Sequence, residues 1–239
     1  GAAGSRPESW IHLGIDRIGD TALVDQLQRE IVDVLADVRA AVEDGAAMQQ
    51  RMREADEEMA GDTVADGGEA AAYLRWIAAN NFVFLGYADY RAAAGDGVLV
   101  RVPDSGLGIL RQTDHPRFGS CLAGIPGVVT ELARDPLPVI LVKADARSTV
   151  HRSAYLDFIG VKCYDARGGI VGVRVFVGLY TAHVYHVSAT EVPLLRRKIA
   201  AVREAIGFLP RSHRDKVLLN VLETYPRDEL IEIAHEDLM

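Results

Sequence analysis

The chain has 239 residues, 49% apolar and 25% charged, with a formal net charge of -8. That length can bury one large core or two modest ones, and the acidity disfavours nonspecific contact with nucleic acid or anionic lipid. The two cysteines, Cys121 and Cys163, form neither a disulfide framework nor a CxxC site, which fits a reducing compartment. No apolar run approaches the roughly 20 residues of a membrane helix, and GAAGSRPE at the N-terminus lacks the pattern of a signal peptide. Neither nucleic acid nor membrane is therefore expected as a partner.

WIHLGIDRI (10–18) alternates Ile11, Leu13 and Ile15 with His12, Gly14 and Asp16, which predicts a strand. Asp20 is a candidate N-cap. Leu23, Leu27, Ile31, Val34, Val38 and Val42 then recur at helical spacing, predicting an amphipathic helix that ends before Gly45. The acidic stretch MQQRMREADEEMAGDTVADGG loses that apolar face and reads as a fraying helix and linker, with a boundary near Gly67–Gly68. One strand and one helix cannot enclose a core. Residues 1–58 thus read as the end of an α/β unit begun upstream, or as a segment packed on the rest of the chain; the missing initial Met agrees with the first.

EAAAYLRWIAANN (69–81) predicts a second helix, with Leu74, Ile77 and Ala78 on one side. FVFLGYADYR (82–91), rich in aromatic and β-branched residues, predicts a strand. The turn signal Gly95–Gly97 separates it from an antiparallel partner, VLVRV. PDSGLGIL is a tight loop entering a short strand, and 112–136 is irregular apart from a helical turn at TELARD. PVILVKA is a strand; DFIGVKCYD and IVGVRVFVGLYTAHVY form a hairpin about Gly168 and Gly169. No crossover helix interrupts 82–187, so the fold class is α+β, an antiparallel sheet with flanking helices. VPLLRRKIAAVREAIGF is a helix with Leu194, Leu195, Ile199, Val202 and Ile206 on one face, Pro193 in its first turn and Gly207 as its C-cap. SHRDKVLLNVLETY is another, closed by Pro226, and RDELIEIAHEDLM stops as a further element begins.

The densest polar stretch is KADARSTVHR (143–152). Strand alternation would place Arg147, Thr149 and His151 on one face and Ser148, Val150 and Arg152 on the other. Lys143 and Arg147 are placed to meet acids such as Asp145 or Asp157. A structural polar network is the preferred reading. Two alternatives stay open: a small-anion or effector site, because Arg, Ser, Thr and backbone N–H groups are good oxyanion donors, and a docking surface for a neighbouring domain. Ser148 or Thr149 with His151 and Asp145 has the residue types of a triad, but groups this close along a strand rarely converge, and no strand-to-helix elbow is present. No catalytic residue is assigned.

Other motifs read as structural. SGLG (105–108) is neither a GxGxxG nor a Walker sequence and suits a tight turn. HVYH (183–186) puts His183 and His186 on opposite sides of a strand end, too few ligands for a metal. Cys163 reads as a buried, inert thiol. Arg196, Arg197, Lys198, Arg203, Arg211, Arg214 and Lys216 form a basic patch that reads as a solvated face or interdomain pairing. Phe82, Phe84, Tyr87 and Tyr164 either fill the core or wall a ligand pocket.

FVFLGYADY, DSGLGILR, LVKADARSTVHRSAYLDFIGVKCYD, FVGLYT, VPLLRRKIA and VLETYPRDEL closely resemble, in order and spacing, the N-terminal portion of the very large bacterial NAD-dependent glutamate dehydrogenases. The resemblance covers nearly the whole chain; LYTAHVYHVSA departs from it around His183 and His186. It implies a cytoplasmic parent enzyme that oxidises L-glutamate to 2-oxoglutarate and ammonia with NAD, its catalytic domain lying downstream. For this fragment it implies no catalytic, cofactor-binding or metal-binding residue and no cofactor of its own. It implies assembly and regulatory modules: the C-terminal part of an ACT-like unit plus helix over 1–58, a linker over 59–68, a PAS-like antiparallel sheet over 69–190 and a helical connector over 191–239. The partners it implies are other domains of the same long chain, further copies in a homo-oligomer, and a small-molecule effector. The residues offered for effector or interdomain contact are Lys143, Arg147, Ser148, Thr149, His151 and Arg152.

Overall fold

A computed structural model of the chain describes residues 10–61, 67–93, 98–112, 127, 129–131, 133, 137–207, 209 and 211–233. The Gly95–Gly97 turn, Cys121, most of 112–136 and the final residues from 234 lie outside the described residues. The strand expected over 10–18 does not form: residues 10–20 have no regular structure, and Trp10, Ile11, Leu13 and Ile15 are exposed. Alternation makes a strand only where a neighbouring strand takes up its backbone hydrogen bonds, and none pairs here.

Helix α1, Thr21–Gly61, is capped by Asp20, whose carboxylate accepts from the Ala22 N–H at 2.9 Å. It runs through Gly45 rather than ending before it. A glycine inside a helix costs about 1 kcal/mol, which tertiary burial beyond it outweighs. Only part of the expected apolar stripe turns inward: Leu23, Ile31 and Val42 are exposed, whereas Leu27, Val34 and Val38 are half-buried, Val38 against the core. The fully buried apolar positions are Ala41, Met48, Met52, Ala55 and Met59.

Helix α2 spans Gly67–Trp76 and ends in a wider π-helical turn, Ile77–Asn81. Asn80 there adopts φ 64° and Asn81 Nδ2 donates to the Trp76 carbonyl at 2.7 Å. The chain then enters β1, Phe82–Ala92, followed by β2, Leu99–Arg101, and β3, Leu107–Gly108. The long strands β4, Val139–Arg147, β5, Tyr155–Tyr164, and β6, Ile170–Tyr180, complete the sheet. The order is β2-β1-β6-β5-β4, with β3 also pairing β1, and every pairing is antiparallel. The α+β class and the hairpin about Gly168 follow the sequence reading.

Three cross-strand rows cover the face of the sheet turned to the helices. Lys143 pairs with Asp157 and Asp157 with Gly178; Leu141 with Ile159 and Ile159 with Phe176; Val139 with Val161 and Val161 with Arg174. The middle row is apolar and each outer row carries charge. Met48, Met52 and Met59 of α1, with Tyr73 and Leu74 of α2, share a buried cluster with Ile159 and Phe176. The opposite face buries Leu85, Phe158, Val173, Val175 and Val177 with Leu110 and Val129.

After β6 a single 3₁₀ turn, Ala182–His186, replaces the strand end expected for HVYH. The Val184 N–H donates to the Thr181 carbonyl at 3.1 Å. Side chains at i and i+3 eclipse in such a turn, so His183 and His186 share a side instead of opposing one another, and both are exposed. Helix α3 spans Leu195–Ile206 and ends on Gly207 at φ 70°. Pro193 sits in the turn before it, not in its first turn, and Leu194 takes φ 67° with its N–H held by Glu69 at 3.0 Å. Leu195, Ile199 and Val202 are buried, whereas Ile206 is exposed. Helix α4, His213–Thr224, is capped by Ser212, and α5, Arg227–Glu232, follows.

Candidate functional site

The polar stretch 143–152 does not behave as one unit. Strand β4 ends at Arg147, with a register shift between Lys143 and Arg147, and residues 148–154 fold into a tight turn. The Ser148 N–H donates to the Ala154 carbonyl at 2.8 Å, and the buried Ser148 hydroxyl donates to the Val150 carbonyl at 2.7 Å. His151 takes φ 69°. The two-face alternation expected over 147–152 is therefore absent, because a serine hydroxyl bonded to nearby backbone favours a turn over a ladder.

The six side chains go to separate places. Arg147 is exposed and stacks its guanidinium over Tyr155, 4.9 Å from the ring centroid. Thr149 donates to Asp37 of α1 at 3.1 Å. His151 is exposed. Arg152 donates to the Tyr180 carbonyl at 2.9 Å. Only Lys143 enters a dense polar cluster, with Asp157 as the partner that its position suggested.

That cluster is the candidate site. Lys143 Nζ donates to Asp157 Oδ1 and, at 2.8 Å, to Asp228 Oδ2, and it lies 3.6 Å from Glu232 Oε1. Asp157 Oδ2 accepts the Tyr180 N–H at 3.2 Å. The Tyr180 hydroxyl is hydrogen-bonded to that of Tyr73, both rings being fully buried. Asp157 comes from β5, Lys143 from β4, and Asp228 and Glu232 from α5, so four titratable side chains tie the sheet to the last helix. Asp228 and Glu232 were missed from the sequence. The signal was available: two acids at i and i+4 share one helix face.

One ammonium among three carboxylates leaves an excess of negative charge, which a bound proton relieves. Burial pushes Glu232 up to about 8, against the opposing pull of Lys143. Burial raises Asp157 as well. Both Asp157 oxygens accept N–H donors, so the shared proton rests on Glu232. Burial would raise Asp228 too, but the hydrogen bond and positive charge of Lys143, together with a hydrogen bond from Tyr185, outweigh that and hold it below the usual range. Burial opposes the charge of Lys143, yet its bonds to Asp157 and Asp228 keep it firmly an ammonium. An amine held in that state is no nucleophile. Nearby, Lys198 donates to the Ile231 and Ile233 carbonyls at 2.6 and 2.7 Å, and burial brings it down to about 8. The junction thus binds helix to sheet and exchanges protons near neutral pH.

The remaining candidates are absorbed by packing. Phe82, Phe84 and Tyr87 are buried against one another and against Phe176 and Tyr180, with ring centroids 4.9–5.9 Å apart. Of the four proposed pocket rings, Tyr164 lines a cleft. SGLG leads from a turn at 103–104 into the short strand β3: Gly108 has φ +60° and its N–H donates to Asp44 of α1 at 2.7 Å. In the basic patch, Arg196 pairs with Glu69 at 2.7 Å and Arg203 with Asp215 at 2.6 Å. Among the described residues no group of three or more His, Cys, Asp or Glu side chains is arranged to hold a metal ion, and no helix is long and apolar enough to cross a membrane.

The fold and the site define an antiparallel sheet segment joined to helices by internal ion pairs. Residues 192–239, which include α3 to α5 and hence Asp228 and Glu232, match the family described as glutamate dehydrogenase, helical motif 1. The NAD-specific glutamate dehydrogenase of Halomonas elongata is 37% identical over 240 residues, 97% of this chain and 15% of that protein. That of Pseudomonas aeruginosa is 32% identical with the same coverage, and that of Mycobacterium tuberculosis is 29% identical over 252 residues, 14% of its length. The chain is therefore related along nearly all of its length to a segment of the large NAD-specific glutamate dehydrogenases, and spans about 15% of the length of these curated relatives.

Proposed function

We propose that this chain is a noncatalytic assembly and regulatory segment of a large, cytoplasmic NAD-dependent glutamate dehydrogenase, working with other domains of that chain in a homo-oligomer. The observation that carries the reading is the Lys143 junction. It invests its charged groups in holding α5, within the glutamate dehydrogenase helical motif, against the sheet. The PAS-like reading of the sheet over 69–190 is part of this proposal, supported by the antiparallel order of the strands; the ACT-like reading of 1–58 and the connector role of 191–239 are part of it too and rest on the family resemblance. NAD belongs to the parent enzyme in this reading, and the fragment holds no cofactor. Contact with an effector or a neighbouring domain falls to the exposed members of the 143–152 stretch, Arg147 and His151, with Thr149 and Arg152 fixing the turn that presents them.

The chain incubated with L-glutamate and NAD is expected to form no NADH by absorbance. In an enzyme carrying this segment, Arg147→Ala is expected to change assembly or effector response while hydride transfer stays intact in the assembled protein. NADH formation by the isolated chain overturns the reading. So does loss of hydride transfer in a variant of native stability, quaternary state and cofactor binding.

A further inference from the structure

We propose that the cleft between the end of α1 and the β5–β6 pair binds a small organic carboxylate, anchored by Arg174. The cleft has a volume of about 400 Å³, with Glu58 and Met59 of α1 on one side and Cys163, Tyr164 and Arg174 on the other. It lies in the outer row of the sheet opposite to the Lys143 row, so the inference goes beyond the function proposed above and does not rest on it.

The guanidinium is the central observation. The Arg174 side chain is only 10% exposed. Its Nη2 donates to Glu58 at 2.6 Å, whereas its Nη1 is buried with no hydrogen-bond partner among the described residues. A buried donor left unpaired is costly, and a guanidinium presents its N–H groups as a rigid fork matched to two oxygens of one carboxylate. Glu58 satisfies one tine of that fork. Its own side chain is 58% exposed, so it reaches the buried cation from the solvent side. It acts as a tethered carboxylate that an incoming one can displace.

The walls select the rest of the ligand. Met59 is buried and apolar, and Tyr164 is half-buried. The register shift between Cys163 and Tyr164 brings that ring to the cleft, a common use of a bulge. An apolar body of a few carbons fits this lining. Glu57 and Glu58 at the mouth disfavour a polyanion such as an organic phosphate.

Calorimetric titration of the full chain with butyrate tests the proposal, with sulfate as the inorganic comparison. Butyrate is expected to bind at one site, more tightly than sulfate. Glu58→Gln removes the competing carboxylate from an exposed position without disturbing the core, and is expected to tighten butyrate binding about two- to fivefold, the range of an exposed ion pair. Arg174→Met is expected to abolish binding, and Arg174→Lys, which keeps charge but loses the fork, to weaken it. Absence of butyrate binding in both the parent chain and Glu58→Gln overturns the proposal. So does an unchanged or weaker affinity in Glu58→Gln, which decides the matter even if Arg174→Met fails to fold. Sulfate binding as tight as butyrate overturns the assignment to an organic ligand.

Discussion

Replacing Lys143 with methionine keeps most of the apolar stem of the side chain and removes its charge. Asp157 is 3% exposed and loses its ammonium partner. Stranding a buried charge in this way costs about 3–5 kcal/mol. The protein has an escape, because Asp157 can take up a proton in the folded state. Relative to an unfolded aspartate near 3.9, that uptake costs about 4 kcal/mol at pH 7 and about 1.5 kcal/mol at pH 5. The cheaper route governs at each pH. The expected loss is therefore about 3–4 kcal/mol at pH 7, falling to about 1.5 kcal/mol at pH 5. Urea unfolding of the parent and variant chains at both pH values measures it, from the shift in midpoint at constant slope. Adding Asp157→Asn to the variant removes the stranded charge and is expected to recover part of the pH 7 loss. A cost below about 1 kcal/mol at pH 7, as for a surface pair, or an equal cost at the two pH values, would refute the burial argument.

Two further outcomes follow from the same structure. Glu232 has its folded value raised from about 4.5 to about 8, so the folded state holds a proton that the unfolded state has released across that window. Its contribution to stability is undiminished below pH 4.5, declines as pH rises, and reaches its full penalty above pH 8. Glu232→Gln should remove that decline and stabilise the chain at pH 8 by at most about 4–5 kcal/mol; a melting temperature that responds to pH just as the parent's does would count against it. Gly108→Ala would set a Cβ 2.0 Å from the Leu85 carbonyl oxygen at φ +60°. The expected cost is about 2–4 kcal/mol in urea unfolding, and a loss under about 0.5 kcal/mol would show that the loop yields freely.

The parts legible in the sequence were those specified locally. Gly168 and Gly169 marked the β5–β6 hairpin, Asp20 and Gly207 marked helix ends, and SGLG marked a tight passage into β3 that needs glycine so close to Leu85. The errors came where tertiary burial overruled pattern. Residues 10–18 alternate properly, yet alternation carries no information about whether a partner strand exists. The aliphatic stripe Leu23–Val42 is the stronger helical pattern, but Met48, Met52, Ala55 and Met59 beyond it are the side chains buried most completely. Thioether side chains fill irregular gaps well, and they were discounted among the acids of the segment. At the site, Lys143 with Asp157 was legible from the strand pattern. Asp228 and Glu232 lie 85 and 89 residues beyond Lys143 in sequence, and the fold that brings them there is set by α3 and α4.

Polar chemistry at the two ends of one sheet face gives the attached helices unequal hold. At one end Lys143 joins α5 through groups that are mostly withdrawn from water, where removing one partner costs several kcal/mol. At the other, Arg174 joins the end of α1 through Glu58, whose exposed carboxylate adds no more than about 1 kcal/mol. Further along α1, Arg111 bridges Glu43 and Asp44 at 3.1 and 2.6 Å, again near the surface. Local opening free energies follow such differences in burial. The polar contact at the end of α1 is thus the weaker one on this face, and it lies at the wall of the cleft, while Met52, Ala55 and Met59 keep the helix itself packed on the sheet. A ligand at Arg174 competes against the weakest of these contacts, and the strongest one remains untouched at the far end of the same strands.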